Sequence, residues 1–221
     1  MAVYVVGAGA AVAVASYWLL VKRARGKSLA LLGPRRSGKT TLATFLGNGE
    51  IPQGYRPTVM RQKVKQKRRA RVRVPGSGRL PFGIKMGNLA LKLTMLDNPG
   101  MTPQGDKTNY GIWQGSATQV DAVLYLVDVT QLSDASYWRV AMNGAQHLAR
   151  WELGDRRKLL ILTHTDLDPA WGRGDLDEIS GRTAVKDLRR ELQAEEVLMG
   201  SLKDVGGTRD LAYLVLQFLA R

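Results

Sequence analysis

Residues 28–47 read SLALLGPRRSGKTTLATFLG. An apolar run of strand length enters a Gly- and Pro-containing turn and leaves it as a helix-period segment. Within the turn, Gly33-Pro-Arg-Arg-Ser-Gly38-Lys39-Thr40 fits G-x-x-x-x-G-K-[ST] in the strand-to-helix setting that pattern requires. Successive backbone N–H groups of such a loop wrap phosphates, and the helix amino terminus adds its positive dipole. Lys39 then reaches the β/γ-phosphates and the Thr40 hydroxyl coordinates Mg²⁺. Gly33, Ser37, Gly38, Lys39, Thr40 and Thr41 are therefore candidate nucleotide-binding residues. Arg35 and Arg36 fill variable positions. They read either as solvated side chains at the outer edge of the loop or as groups that reach a phosphate, a lipid headgroup or a partner.

Outward from this loop, short apolar runs alternate with longer helical patterns. LALKLTMLD, DAVLYLVDV, RKLLILTHT and EEVLMGS follow SLALLG as strands, with helices expected over 135–152, 181–195 and 208–219. Alternation of strand and helix predicts an α/β fold: a mostly parallel sheet with right-handed crossovers and helices on both faces. Ligands of such sheets sit at the carboxyl ends of the strands. Asp97 to Gly100 in DNPG, Asp166 in THTD, and Ser201, Leu202 and Lys203 in GSLKD stand at those ends, and Thr58 in GYRPTV follows Lys39 by nineteen residues.

In this order the elements resemble the small GTPases of the P-loop family, most nearly the Arf-like branch, over nearly everything from residue 28 to 221. The resemblance implies a bound guanine nucleotide, GTP or GDP, with Mg²⁺ as cofactor. Thr58 stands where the family keeps a switch threonine that meets the metal and the γ-phosphate, and Asp97 where an Asp holds the metal through water. Gly100 matches the glycine whose N–H senses the γ-phosphate. Asp166 matches the carboxylate that accepts from guanine N1–H and N2–H₂. Thr163 and His164 replace that element's usual Asn and Lys. Ser201, Leu202 and Lys203 match the loop that backs the base. Lys39, Thr58 and Gly100 are the catalytic candidates, and Thr40, Thr58 and Asp97 the metal candidates. Asp128, which also ends an apolar run, competes with Asp97 for the metal. Many family members place Gln directly after D-x-x-G to orient water. Met101 stands there and a thioether cannot orient water, leaving Gln104 as a substitute only if the loop folds back. Slow intrinsic hydrolysis is the expectation.

The rest of the chain sets the context. The 221 residues, 44% apolar, suffice for one globular domain and an appendage. The absence of cysteine excludes a disulfide framework and a Cys-ligated metal, and two histidines argue against an all-protein zinc site. Of 33 Lys/Arg, 19 precede residue 97, where the only acid is Glu50. A basic half of that size implies an anionic partner. Residues 1–21, MAVYVVGAGAAVAVASYWLLV, carry no charge, and at about 1.5 Å per residue a helix of that length crosses a hydrocarbon core of ~30 Å. Tyr17 and Trp18 suit the headgroup level, and KRARGK follows at once, which places the remainder in the cytoplasm. A cleaved signal peptide carries its charges before the apolar core, not after it. The domain division is a transmembrane anchor 1–21, a basic juxtamembrane linker 22–27 and a GTPase-like domain 28–221.

Between the two switch motifs, residues 61–73 hold eight Lys/Arg in thirteen positions. They read either as a solvated edge strand protected by charge or as a hairpin touching anionic lipid. Nucleic acid is the weaker alternative, because no aromatic platform accompanies the charges. One amino-terminal membrane helix before such a domain resembles the layout of the signal recognition particle receptor β-subunit family. The expected function is a membrane-anchored, Mg²⁺-dependent GTP switch that recruits a protein effector at the cytoplasmic face. The alternative is a nucleotide-binding, non-hydrolysing scaffold subunit of a membrane assembly. A third class, an ATPase or nucleotide kinase, lacks a lid arginine pattern and an acceptor site in this sequence.

Overall fold

Every residue of AVLYLVD, Ala122–Asp128, is buried, which a strand achieves only when it is paired on both edges and covered on both faces. In the computed structural model this is β4, at the centre of a six-stranded sheet. The structure describes residues 23, 24, 26–52, 62–65, 94–101, 107–151 and 153–221. The expectations placed on residues 1–21, on Thr58, on Gln104 and on most of the basic run 61–73 lie outside these. Among the described residues no helix is long and apolar enough to cross a membrane.

The other elements are β1 Ser28–Leu32, α1 Lys39–Asn48, β2 Gln62–Lys65, β3 Thr94–Asp97, α2 Lys107–Ala117, α3 Ala135–Arg150, β5 Arg157–Thr163, α4 Pro169–Gly172, α5 Leu176–Gly181, α6 Thr183–Leu192, β6 Glu196–Met199 and α7 Val205–Ala220. The strand order is β2-β3-β1-β4-β5-β6. Five strands run parallel and β2 pairs antiparallel with β3 at the edge.

Strand periodicity sorts the core into two layers. Leu29, Leu31, Leu124, Leu126, Leu159 and Ile161 point to one face, where Leu42 and Phe45 of α1 and Val215 and Phe218 of α7 cover them. Ala30, Leu32, Val123, Tyr125, Val127, Leu160 and Leu162 point to the other, against Trp113, Ala141, Leu148 and Leu188. Close approach of α3 needs Gly144, because a Cβ there would lie 2.3 Å from the Tyr125 hydroxyl. That hydroxyl donates to Ala141 O at 2.7 Å.

Three helix boundaries differ from the expected ones, each for a local reason. The segment expected at 181–195 breaks at Arg182, whose extended backbone (ψ 136) separates α5 from α6. Arg182 pairs there with the buried Asp168, which also accepts from Ala170 N to cap α4. The Arg182 guanidinium holds the Asp168 carboxyl below its usual pKa. Helix α7 starts earlier than expected because Asp204 accepts from Gly207 N at 2.9 Å, an N-cap. Helix α3 ends at Arg150 because Trp151 is extended. Helix α2, with Gly111 and Gly115 in it, shows little periodicity in sequence, and Trp113 anchors it in the core.

Candidate functional site

The carboxyl ends of β1, β3, β4 and β5, with the turn after β6, bring most of the sequence candidates together. At the end of β1 the backbone at Gly33 has φ 138, and a Cβ there would stand 2.0 Å from Leu126 O of β4. The loop then closes on itself. Ser37 Oγ donates to Pro34 O at 2.9 Å, and Lys39 Nζ donates to Pro34 O and to Ser37 Oγ. Gly38, at φ 82, begins α1 and has Leu202 Cδ1 2.3 Å from where its Cβ would be. The first bond of α1 runs from Leu42 N to Gly38 O. The amides of Lys39, Thr40 and Thr41 therefore form the positive end of that helix.

Lys39 is 5% exposed. Burial, opposed by Asp97 and assisted by Arg35, lowers its pKa to about 8. A buried ammonium held by carbonyl and hydroxyl oxygens is electrostatically under-compensated, and an anion in the loop relieves it.

Thr40 Oγ1 donates to Asp97 Oδ2 at 2.8 Å, and Asp97 is buried. Of the two candidate acids Asp97 is the one beside the loop. Asp128 is committed elsewhere: its Oδ1 accepts from Thr130 N and Oγ1, and its Oδ2 lies 3.4 Å from His164 Nδ1. Among the described residues no group of three or more His, Asp or Glu converges. A hard cation at Thr40 and Asp97 would complete its oxygen shell from phosphate and water. The looped backbone, the helix terminus and this hydroxyl–carboxylate pair fit a Mg²⁺–nucleotide.

Behind Asp97 the chain is clamped from two sides. Asn98 Nδ2 donates to Leu96 O and Leu31 O, and its Oδ1 accepts from Ser116 Oγ. Trp113 Nε1 donates to Pro99 O at 2.9 Å. On the loop side, Arg35 N donates to Met101 O at 3.1 Å. A Cβ on Gly100 would lie 2.7 Å from Arg35 Cα, so only glycine lets the two loops meet. Met101 is 2% exposed and its side chain lies in the core, turned away from the site. Sequence reading did not find Asn98, Trp113 and Ser116 as positioning residues. Asn98 stood in view inside DNPG, but nothing in the sequence links it to Ser116.

At the end of β5, Thr163 Oγ1 lies 3.2 Å from Ser37 O, 3.1 Å from Val127 O and 3.1 Å from His164 Nδ1. Its one proton is directed at the carbonyls, and His164 Nδ1 lies between the hydroxyl and Asp128 Oδ2. The hydroxyl thus ties the base-side strand to the phosphate loop. His164 adopts φ 57 and starts a short turn, Thr165–Leu167, that carries the half-buried Asp166. Leu202 roofs Gly38, and Lys203 N donates to Ser201 Oγ at 3.1 Å. Thr163→Val keeps the shape and removes the proton. We expect it to lower stability by about 1 kcal/mol in urea denaturation of the nucleotide-free protein, and an unchanged midpoint would show that the bond to Ser37 is not formed.

A parallel sheet with this strand order, an antiparallel edge strand, and a phosphate loop between its first strand and helix is the fold of the P-loop GTPases. Three solved structures similar to the chain are of that class. The Arl6 (BBS3) small GTPase of Trypanosoma brucei with bound GppNp superimposes at TM-score 0.57 with 19% identity, covering 88% of this chain and 96% of that one. Era, in complex with MgGDPNP and a segment of 16S ribosomal RNA, gives 0.53 with 20% identity, over 87% of this chain. The elongation factor SelB of Methanococcus maripaludis with a GTP analogue gives 0.54 with 15% identity, over 88%. The chain spans 55% of Era and 34% of SelB. No family model and no curated protein matches it.

Proposed function

We propose that the chain is a Mg²⁺-dependent guanine-nucleotide-binding protein with slow intrinsic hydrolysis, anchored in a membrane by residues 1–21 and recruiting a protein partner in its GTP form. The observation that carries the reading is the junction of Lys39, Thr40, Asp97 and Gly100 at the carboxyl edge of the sheet. Lys39 and the amino end of α1 hold the β- and γ-phosphates. Thr40 and Asp97, with Thr58, would hold Mg²⁺, which supplies neutralisation of charge on the transferring phosphoryl oxygens. Asp166 takes the two donors of guanine, which adenine lacks in that arrangement. Leu202 and Lys203 back the base, and the Thr163 hydroxyl holds the phosphate loop against the strand that carries Asp166. That the three structures named above each contain a GTP analogue supports guanine over adenine.

Slow hydrolysis follows from Met101, whose buried thioether offers the attacking water nothing. The same observation favours a second reading, a scaffold that binds nucleotide without turnover. Calorimetry on the full chain in detergent tests the first step: GTP and GDP bind at least tenfold more tightly than ATP. Equal affinities for GTP and ATP would overturn the guanine assignment. Single-turnover assays in vesicles then separate switch from scaffold.

A further inference from the structure

The domain begins abruptly. Ala24 is fully buried in the apolar layer shared with α1 and α7, and Lys27 N donates to Ala24 O. Immediately after, Ser28 N and Oγ both donate to Asp121 Oδ2 at 2.7 Å. Asp121 N returns the contact to Ser28 O, and Lys27 Nζ lies 3.8 Å from Asp121 Oδ1. These contacts fix the entry of the chain at the amino ends of β1 and β4, the edge of the sheet opposite the phosphate loop.

From residue 21 to Ala24 there are three Cα–Cα steps, at most about 11 Å of chain. Strand β4 alone, at about 3.3 Å per residue, separates the two edges by about 20 Å. If residues 1–21 cross a bilayer, a tether that short cannot carry the carboxyl edge to its surface. Among the described residues of the amino edge, Arg157 pairs with Glu195, Arg221 with Glu196 and Lys27 with Asp121.

We propose that the amino edge of the sheet is the surface this domain holds against the bilayer, so that the nucleotide site opens away from the membrane. The inference rests on the anchor reading of residues 1–21. Under it Arg35 and Arg36, in the phosphate loop, face the aqueous side and are placed to meet a soluble partner instead of the leaflet. Exchange of nucleotide and engagement of an effector then proceed without displacing the domain from the surface.

The chain has no cysteine, which allows a direct test on the full-length protein. Gln119→Cys and Ser133→Cys introduce exposed labelling sites just before and just after β4, and neither residue belongs to the nucleotide site. Each variant is reconstituted in phosphatidylcholine–phosphatidylserine vesicles, labelled with a fluorophore and titrated with headgroup-spin-labelled lipid. Quenching at residue 119 should exceed that at residue 133 at least threefold, and the ratio should survive high salt. Equal or stronger quenching at residue 133 would overturn the orientation. A ratio that collapses with salt would also overturn it, since the basic run and not the tether would then be holding the domain. If the protein leaves the vesicles in an alkaline wash, the anchor itself is refuted and the orientation falls with it.

Discussion

Lys39→Met weakens GTP binding by roughly a hundredfold and at the same time makes the nucleotide-free protein more stable at pH 7. Both expectations come from one buried charge. In the folded chain burial lowers the Lys39 pKa from 10.5 to about 8, so the folded state binds fewer protons than the unfolded state between those values. Stability therefore rises with pH across that window, and below pH 8 the fold carries the full cost, about 3 kcal/mol at 1.36 kcal/mol per pKa unit. The bonds to Pro34 and Ser37 return about 1 kcal/mol each. Removing the ammonium should thus stabilise the empty protein by about 1 kcal/mol, and the extra rise in stability between pH 8 and 10.5 seen in the parent should vanish.

Phosphate reverses the balance by favouring the charged form. Binding then draws a proton onto Lys39, so GTP affinity is full below pH 8 and falls by up to about tenfold per pH unit above it. Losing a buried charge partner of phosphate costs about 3 kcal/mol, the source of the hundredfold. Titration calorimetry in buffers of different ionisation enthalpy reads the linkage directly: close to one proton taken up at pH 9 and little at pH 7, with none at either pH in Lys39→Met. Proton uptake that persists in the variant would assign the linkage to another group.

The parts of this site that were legible in sequence share a property: each is specified by residues near one another in the chain. The phosphate loop needs a strand, a glycine at each end and a lysine within a dozen positions, and the structure places all of them as that pattern demands. The parallel sheet followed from alternation, because β4 and β5 are apolar runs bounded by helical segments. What could not be read is what the chain brings together from a distance. Asn98 meets Ser116, Thr163 meets Ser37 and Arg182 meets Asp168 through tertiary placement. Arg182 split a helix expected over 181–195, and Thr163 joins the end of β5 to the phosphate loop. Helix α2 went unread because its two glycines and polar positions hide a single anchoring residue, Trp113.

Gly33→Ala should be the most destabilising single-methyl change in the domain, and its cost separates shape from backbone angle. Gly33, Gly38, Gly49 and Gly174 all have positive φ, at 138, 82, 76 and 73. An L-residue in the left-handed region pays about 1–2 kcal/mol, and at Gly49 and Gly174 nothing lies within 4 Å of the added carbon. Alanine there should cost that strain alone. At Gly38 the obstacle is the tip of Leu202, which can rotate aside. At Gly33 it is Leu126 O at 2.0 Å, a backbone atom of the central strand, and Leu126 stands in register with Ile161 of β5. Relief requires breaking the β4 ladder or moving the phosphate loop off the end of β1. The expected loss is therefore 4 kcal/mol or more, in the range reserved for core disruption and backbone strain, or about 10 °C in thermal midpoint for a domain of this size. Differential scanning calorimetry of the four alanine variants should rank Gly33 lowest, then Gly38, then the other two together. If Gly33→Ala melted with Gly49→Ala, the loop would not rest on β4, and the cradle that the nucleotide reading depends on would have to be redrawn.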